Sequence, residues 1–200
     1  HNDQIYYLDT GYRTAIHVTD LDGNCIRTTV VEHEQYGSYR VPWMTIEVTD
    51  NYIYLGTGSC SFFCYTDTRS YRIGQKGAGA IKILRRSNFS DVTTVGAQGS
   101  YYSHNIWGDQ SDISISPDGT KIAVVSKGAS SVCVHDLNNG GASISFGCTQ
   151  VGGKPNGRPN QNYDRSWWKA WDFRGSYPDY HYDPYGVAFD SSNNVYVVDG

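Results

Sequence analysis

The side chains here best suited to chemistry are aromatic rings, histidines and carboxylates, and they are unevenly spread. The densest stretch is Asn162–Tyr185, "NYDRSWWKAWDFRGSYPDYHYDPY", where Trp167, Trp168, Trp171, Phe173 and several tyrosines stand among Arg165, Lys169 and Arg174. Flat rings beside guanidinium and carboxylate groups can stack on sugars or grip a peptide, and Trp, Tyr and Arg dominate binding hot spots for related reasons. The residues expected to carry such binding are Trp167, Trp168, Trp171, Tyr180, Arg165 and Arg174. The competing reading is a loop that folds its rings against its own domain, since a long loop needs contacts of its own.

Metal chemistry has weaker support. The histidines (His1, His17, His33, His104, His135 and His181) show no pairing at the short spacings that place two ligands on one element. His104 and His181 each lie just before an expected strand, at equivalent places in the chain, and they are the metal candidates, with Ca²⁺ or Zn²⁺ as the ion. No cofactor is otherwise expected. "DLDGN" (Asp20–Asn24) offers oxygens to Ca²⁺, but it lacks the downstream Glu of an EF-hand, and Asp-Gly turn chemistry accounts for it. No nucleophile elbow or phosphate loop is present. Gly77-Ala78-Gly79-Ala80 leads into an expected strand, so no helix N-terminus is there to hold a phosphate.

Cysteine usage points outside the cell. Cys60 and Cys64 bracket a short ring, and Cys133 and Cys148 flank an expected hairpin, which makes these four the disulfide candidates. Cys25 is left over and suggests a partner elsewhere. Asn88-Phe89-Ser90 is a glycosylation sequon at an expected turn. An extracellular or cell-surface location follows as the expectation; unpaired thiols in a cytosolic protein are the alternative. The net charge of −4 offers no basic field for nucleic acid. No apolar run is long enough to span a membrane as a helix.

The elements that must position these residues are strands. The chain of 200 residues carries 17 Tyr and 22 Gly but one Met, and no window holds apolar residues at helical spacing, so almost no helix is expected. Four blade-like units share one grammar, near residues 3–31, 43–95, 111–147 and 185–200. A short strand ends in Asp or Pro-Asp-Gly turn chemistry, and a Val/Ile/Tyr-rich strand follows. A Gly/Ser turn, a third strand, a polar turn and a weaker fourth strand complete the unit. Four antiparallel strands repeated radially make a β-propeller blade. The corresponding second strands fall near Ile5–Leu8, Tyr52–Leu55, Ile122–Val125 and Val195–Val198, with insertions at 59–76, 96–110 and 149–182.

"YGVAFDSSNNVYVVDG" and "QIYYLDTGYRTAIHVTDLDGNCI" resemble NHL-type propeller repeats, and "SISPDGTKIAVVSKGASSVCVHDL" is similar to the YVTN/TolB-like branch. The resemblance implies an all-β propeller, here partial: the first unit lacks its opening strand and the last its closing pair. Further chain, closure between the two termini or pairing between molecules would each resolve the open edges. It also allows ligands such as His104 and His181 to converge from separate blades, as in amidating lyases of this repeat type. Fold does not fix function. The expected function is a non-enzymatic extracellular scaffold that binds protein or glycan through its insertion loops. The alternatives are a subunit of a self-associating filament or surface assembly, and a propeller lyase or hydrolase with a channel metal.

Overall fold

A computed structural model describes residues 1–10, 13–36, 39–57, 80–95, 110–126, 131–145, 149–153 and 184–199. The described chain is strand, apart from one turn of 3₁₀-helix at Asn139–Gly141. Four antiparallel sheets follow one another along the sequence. The first holds β1 (Gln4–Asp9), β2 (Thr14–Asp20) and β3 (Cys25–Val31). A small hairpin, β4 (Glu34–Tyr36) with β5 (Tyr39–Val41), comes next. The second sheet runs β6 (Trp43–Val48), β7 (Tyr52–Thr57), β8 (Ile81–Arg85) and β9 (Asp91–Val95).

The third sheet is β10 (Gln110–Ile115), β11 (Lys121–Ser126) and β12 (Ser131–Asn138), and its fourth strand is split. β13 (Ser143–Ile144) pairs with one end of β12, and β14 (Thr149–Gly153) with the other. Thr149–Gly153 thus belongs to a blade, although its two glycines made it read as the start of an insertion. The fourth sheet is the hairpin of β15 (Pro184–Phe189) and β16 (Val195–Asp199). β1, β7, β11 and β16 cover the four expected second strands.

The sheets stack face to face in chain order. Ile16, Val18 and Val31 of the first pack with Trp43, Ile53, Leu55 and Leu84 of the second. Tyr54, Ile81 and Ile83 on the opposite face of the second pack with Ile113, Ile122 and Val124 of the third. Ala123, Val125 and Val132 then meet Val187 of the fourth. Burial follows position in the stack. β7 lies between two neighbours and is buried from Ile53 to Thr57, so it reads as a continuous apolar run. β1 has one covered face and alternates between half-buried and exposed.

Equivalent residues make the point sharply. Tyr54 is 1% exposed against the third sheet, whereas Tyr196, at the same place in the last sheet, is 60% exposed. Leu55 is fully buried, and its counterpart Tyr7 on the outer face of the first sheet is 45% exposed.

The turns are stitched by short polar side chains. Asp20 Oδ1 accepts the Asp22 and Asn24 amides at 3.0 and 2.8 Å, and Oδ2 accepts Asn24 Nδ2 at 2.9 Å. Asp190 repeats this arrangement with the Ser192 and Asn194 amides, both at 2.8 Å, and with Asn194 Nδ2. Gly23 and Asn193 occupy the left-handed position in the two turns, at φ +85° and +63°. In both turns the side-chain bond from the Asn is the main reason the carboxyl is held below its usual range. The Asp20 string therefore takes the turn role.

Candidate functional site

The first strands of three successive sheets, β6, β10 and β15, stand side by side, each with β7, β11 or β16 on one edge only. Ser116 N–H donates to Lys121 O in the β10–β11 hairpin, so by strand alternation the Ile113 and Ile115 N–H and C=O groups point off the other, unpaired edge. Asp190 N–H donates to Asn194 O, which turns Val187 outward in the same way. In a radial stack these edges line the axis, and their orphan donors need partners.

Acidic side chains supply them. Asp112 Oδ1 accepts the Ile113 amide at 2.9 Å, and Oδ2 accepts the Val187 amide of the next sheet at 2.9 Å. One sheet earlier, Glu47 lies on β6 within the electrostatic reach of the Ile115 amide and of Asp112. Burial pushes the Glu47 carboxyl up to about 7; the Ile115 amide opposes this, and the Asp112 charge adds to it. Burial also raises Asp112, against the pull of the Val187 and Ile113 amides. Thr45 shares a face of β6 with Glu47, two residues away, and is 8% exposed. Its Oγ1 is buried with no hydrogen-bond partner.

The two ends of the stack differ. At one end the β1, β6–β7, β10–β11 and β15–β16 turns lie together and bond across sheets. Asp50 receives His1 Nε2 at 2.9 Å and Asn2 Nδ2 at 3.3 Å. Arg27 donates to the Ser87 and Asn88 carbonyls at 3.3 and 2.8 Å and lies 4.0 Å from the Phe89 ring centre. Asp118 Oδ2 accepts Asn193 Nδ2 at 2.8 Å. The β2–β3, β8–β9 and β12–β13 turns share this end, and antiparallel order points the remaining strand ends to the opposite one. The connections after β7, β9, β11 and β14 all leave there, as does the segment carrying the β4–β5 hairpin. At that end Trp43 N–H donates to Thr14 Oγ1 at 3.2 Å, and Trp43 Nε1 donates to Glu32 O at 2.8 Å.

The residues singled out in the sequence fall mostly outside the described residues: Arg165, Trp167, Trp168, Trp171, Arg174, Tyr180, His104, His181, Cys60, Cys64 and Cys148. Cys133 is buried on β12, and Cys25 is exposed at the start of β3. Asn88 is exposed in the β8–β9 turn. Its Oδ1 accepts the Ser90 amide at 3.0 Å, so the bond uses the oxygen and not the nitrogen that would carry a glycan. Among the described residues no group of three or more His, Cys, Asp or Glu side chains is placed to hold a metal. Sequence reasoning missed Glu47 and Asp112. An acid in a first strand, among mixed polar and apolar residues, does not show where its carboxylate goes.

Sheets joined face to face in chain order, with first strands innermost, define the architecture. The chain is built as blades of a β-propeller. Solved structures agree at the level of fold. A luciferin-regenerating enzyme aligns with TM-score 0.52 and 12% identity over 96% of this chain and 54% of its own. The hydrazine synthase of Kuenenia stuttgartiensis aligns with TM-score 0.53 and 11% identity over 99% and 56%. The chain thus spans about half the length of the structures it matches. No family model matches the propeller chain, and no curated relative does either. At such identities the likeness speaks for the fold alone.

Proposed function

We propose that this propeller is a non-enzymatic extracellular module, a binding or structural scaffold that works through the end from which its insertions leave. The observation that carries the reading is the segregation of the two ends. Tight turns bonded to one another close one end, and the long connections all depart from the other. The aromatic-rich stretch with Trp167, Trp168, Trp171, Tyr180, Arg165 and Arg174 lies in the sequence between β14 and β15, and it is the segment proposed to bind. Loops held by a rigid scaffold are where binding residues concentrate, and this composition suits a glycan or a protein segment. The exposed Asn88 sequon and the Cys60–Cys64 and Cys133–Cys148 candidates favour an oxidising, extracellular setting. The test is alanine replacement of Trp167, Trp168 and Trp171, read on glycan and peptide arrays. Loss of the wild-type hits with an unchanged β-type circular dichroism spectrum supports the assignment, and retained hits overturn it.

The outer faces favour self-association as a second reading. Tyr196 and Val198 on the last sheet are 60% and 64% exposed, and Ile5 and Tyr7 on the first are 46% and 45% exposed. These are the two kinds of face that meet at every internal junction, and a head-to-tail contact between copies would cover both. Light scattering that rises with concentration, and that Tyr196→Asp and Val198→Asp abolish, supports it. A strict monomer at high concentration excludes it.

A further inference from the structure

We propose that Asn139 is a site of spontaneous chemical modification, where the main chain rearranges through Gly140 and uncouples the third blade from the second. Asn139-Gly140 lies in the 3₁₀ turn between β12 and β13, and both residues are exposed. Three Asp-Gly or Asn-Gly pairs fall within the described residues, and the state of the glycine amide separates them. Gly23 N–H donates to Asp20 O at 3.2 Å, and Gly119 N–H donates to Ser116 O at 2.8 Å. In the third turn the bond runs from Ala142 N–H to Asn139 O at 3.4 Å, and Gly140 N–H takes no part in it. Beyond its chain neighbours, no atom lies within 4 Å of where a Gly140 Cβ would stand, so nothing crowds this peptide. The Asn139 side chain is loosely held, by one long bond of 3.4 Å from Nδ2 to Ser143 Oγ. Asp22 and Asp118 also lack the side-chain amide that can leave as ammonia.

The Gly140 nitrogen loses its proton to solvent base and attacks Asn139 Cγ. A five-membered imide forms as the bond from Cγ to Nδ2 breaks, and the side-chain nitrogen takes up a proton and leaves as ammonia. Water then opens the ring. Cleavage at Cγ gives aspartate; cleavage at the main-chain carbonyl gives isoaspartate, whose chain runs on through Cβ and Cγ. Both products add a negative charge, but only isoaspartate lengthens the main chain, by one bond of about 1.5 Å. The turn has nowhere to put it. On both sides the ladder is fixed, with Leu137 opposite Ile144 and Asn138 opposite Ser143. Gly141 is buried against the second blade, where its carbonyl accepts the Tyr54 hydroxyl at 2.9 Å. A Cβ on Gly141 would already stand 2.5 Å from that hydroxyl. The added length therefore pushes Gly141 off Tyr54, and a buried hydroxyl loses its acceptor.

The test is ageing of the folded chain in mildly alkaline buffer at body temperature, followed by peptide mapping in a mass spectrometer and by thermal melts. The peptide holding Asn139 should gain one dalton and resolve into a larger isoaspartate and a smaller aspartate fraction. Peptides holding Asp22 and Asp118 should show no isoaspartate. Melting temperature should fall in step with the isoaspartate at Asn139. Asn139→Gln should keep its own melting temperature through the same ageing, which separates any contribution from Asn156-Gly157 elsewhere in the chain. Fresh Asn139→Asp carries the added charge on an unaltered main chain and should melt close to fresh wild type. The proposal is overturned if Asn139 stays intact in the folded chain over the time in which the urea-unfolded chain converts there. It is equally overturned if fully converted wild type loses no melting temperature. A loss in fresh Asn139→Asp as large as that of the aged protein would also overturn it, because charge and not chain length would then be the cause.

Discussion

Asp118, in the turn after β10, accepts a hydrogen bond from Asn193, in the turn after β15, across 2.8 Å and 75 positions of sequence. The same carboxylate takes the Ser116 hydroxyl at 2.6 Å, the Thr120 amide at 3.0 Å and the Thr120 hydroxyl at 2.8 Å. It shapes its own turn and ties that turn to the next blade.

These bonds, the Ser116 hydroxyl first, hold the Asp118 carboxyl far below the usual range of an aspartate. The native state therefore favours the charged form. The associated stability is present above the unfolded value and is lost as pH falls below it. Wild type should lose melting temperature as pH drops below about 4, and Asp118→Asn should lose less over the same window. Parallel melts of the two proteins from pH 6 downward check this; equal slopes would contradict it.

Glu47 has the opposite sign. Its carboxyl is raised from 4.5 to about 7, so the neutral form is favoured in the folded chain. That contribution is fully present below about 4.5 and lost as pH rises through about 7. Glu47→Gln should be more stable than wild type above pH 7, by up to about 3 kcal/mol at about 1.4 kcal/mol per unit, and no more stable at pH 4. Urea denaturation at the two pH values reads the difference.

The contact of Tyr54 with Gly141 joins the second and third blades through their interior. The Tyr54 hydroxyl donates to Gly141 O at 2.9 Å, and burial pushes its pKa up to about 12. Tyr54→Phe should cost about 1–3 kcal/mol, because the buried carbonyl loses its donor. Gly141→Ala should also destabilise, since φ there is +94° and a Cβ would stand 2.5 Å from the Tyr54 hydroxyl. Denaturant melts of both variants measure this.

Arg27 covers the Phe89 ring and donates to two carbonyls of the β8–β9 turn. Arg27→Lys keeps the charge but loses the planar fork, so it should recover little of the stability that Arg27→Ala loses. A melting temperature restored by the Lys variant would contradict this.

How much of this could be read from the sequence depends on how local the determinant is. The Asp20 and Asp190 turns were legible because both the Asp and the left-handed Gly or Asn lie within five residues. The second strands were legible because their apolar runs are dense. The β4–β5 hairpin was not, since strands of three residues carry no period. The split fourth strand of the third blade hid behind glycines that sit in a ladder. Glu47 and Asp112 were invisible for a different reason. Sequence shows an acid in a strand, but only the stacking of blades shows that its carboxylate reaches a neighbouring strand's free edge.

The most direct test is pulsed electron paramagnetic resonance on pairs of spin labels at exposed sites. Labels at Asn51, Pro117 and Ser192 mark the turn end of successive blades, and labels at Asp9 and Glu32 mark the opposite end. Blades stacked in chain order predict two similar short distances, Asn51–Pro117 and Pro117–Ser192, and a longer Asn51–Ser192. They also predict that Asp9 and Glu32 lie closer to each other than either lies to Pro117. An Asn51–Ser192 distance shorter than the two neighbouring ones, or Pro117 falling near Asp9 and Glu32, would contradict the propeller and its division into two unlike ends.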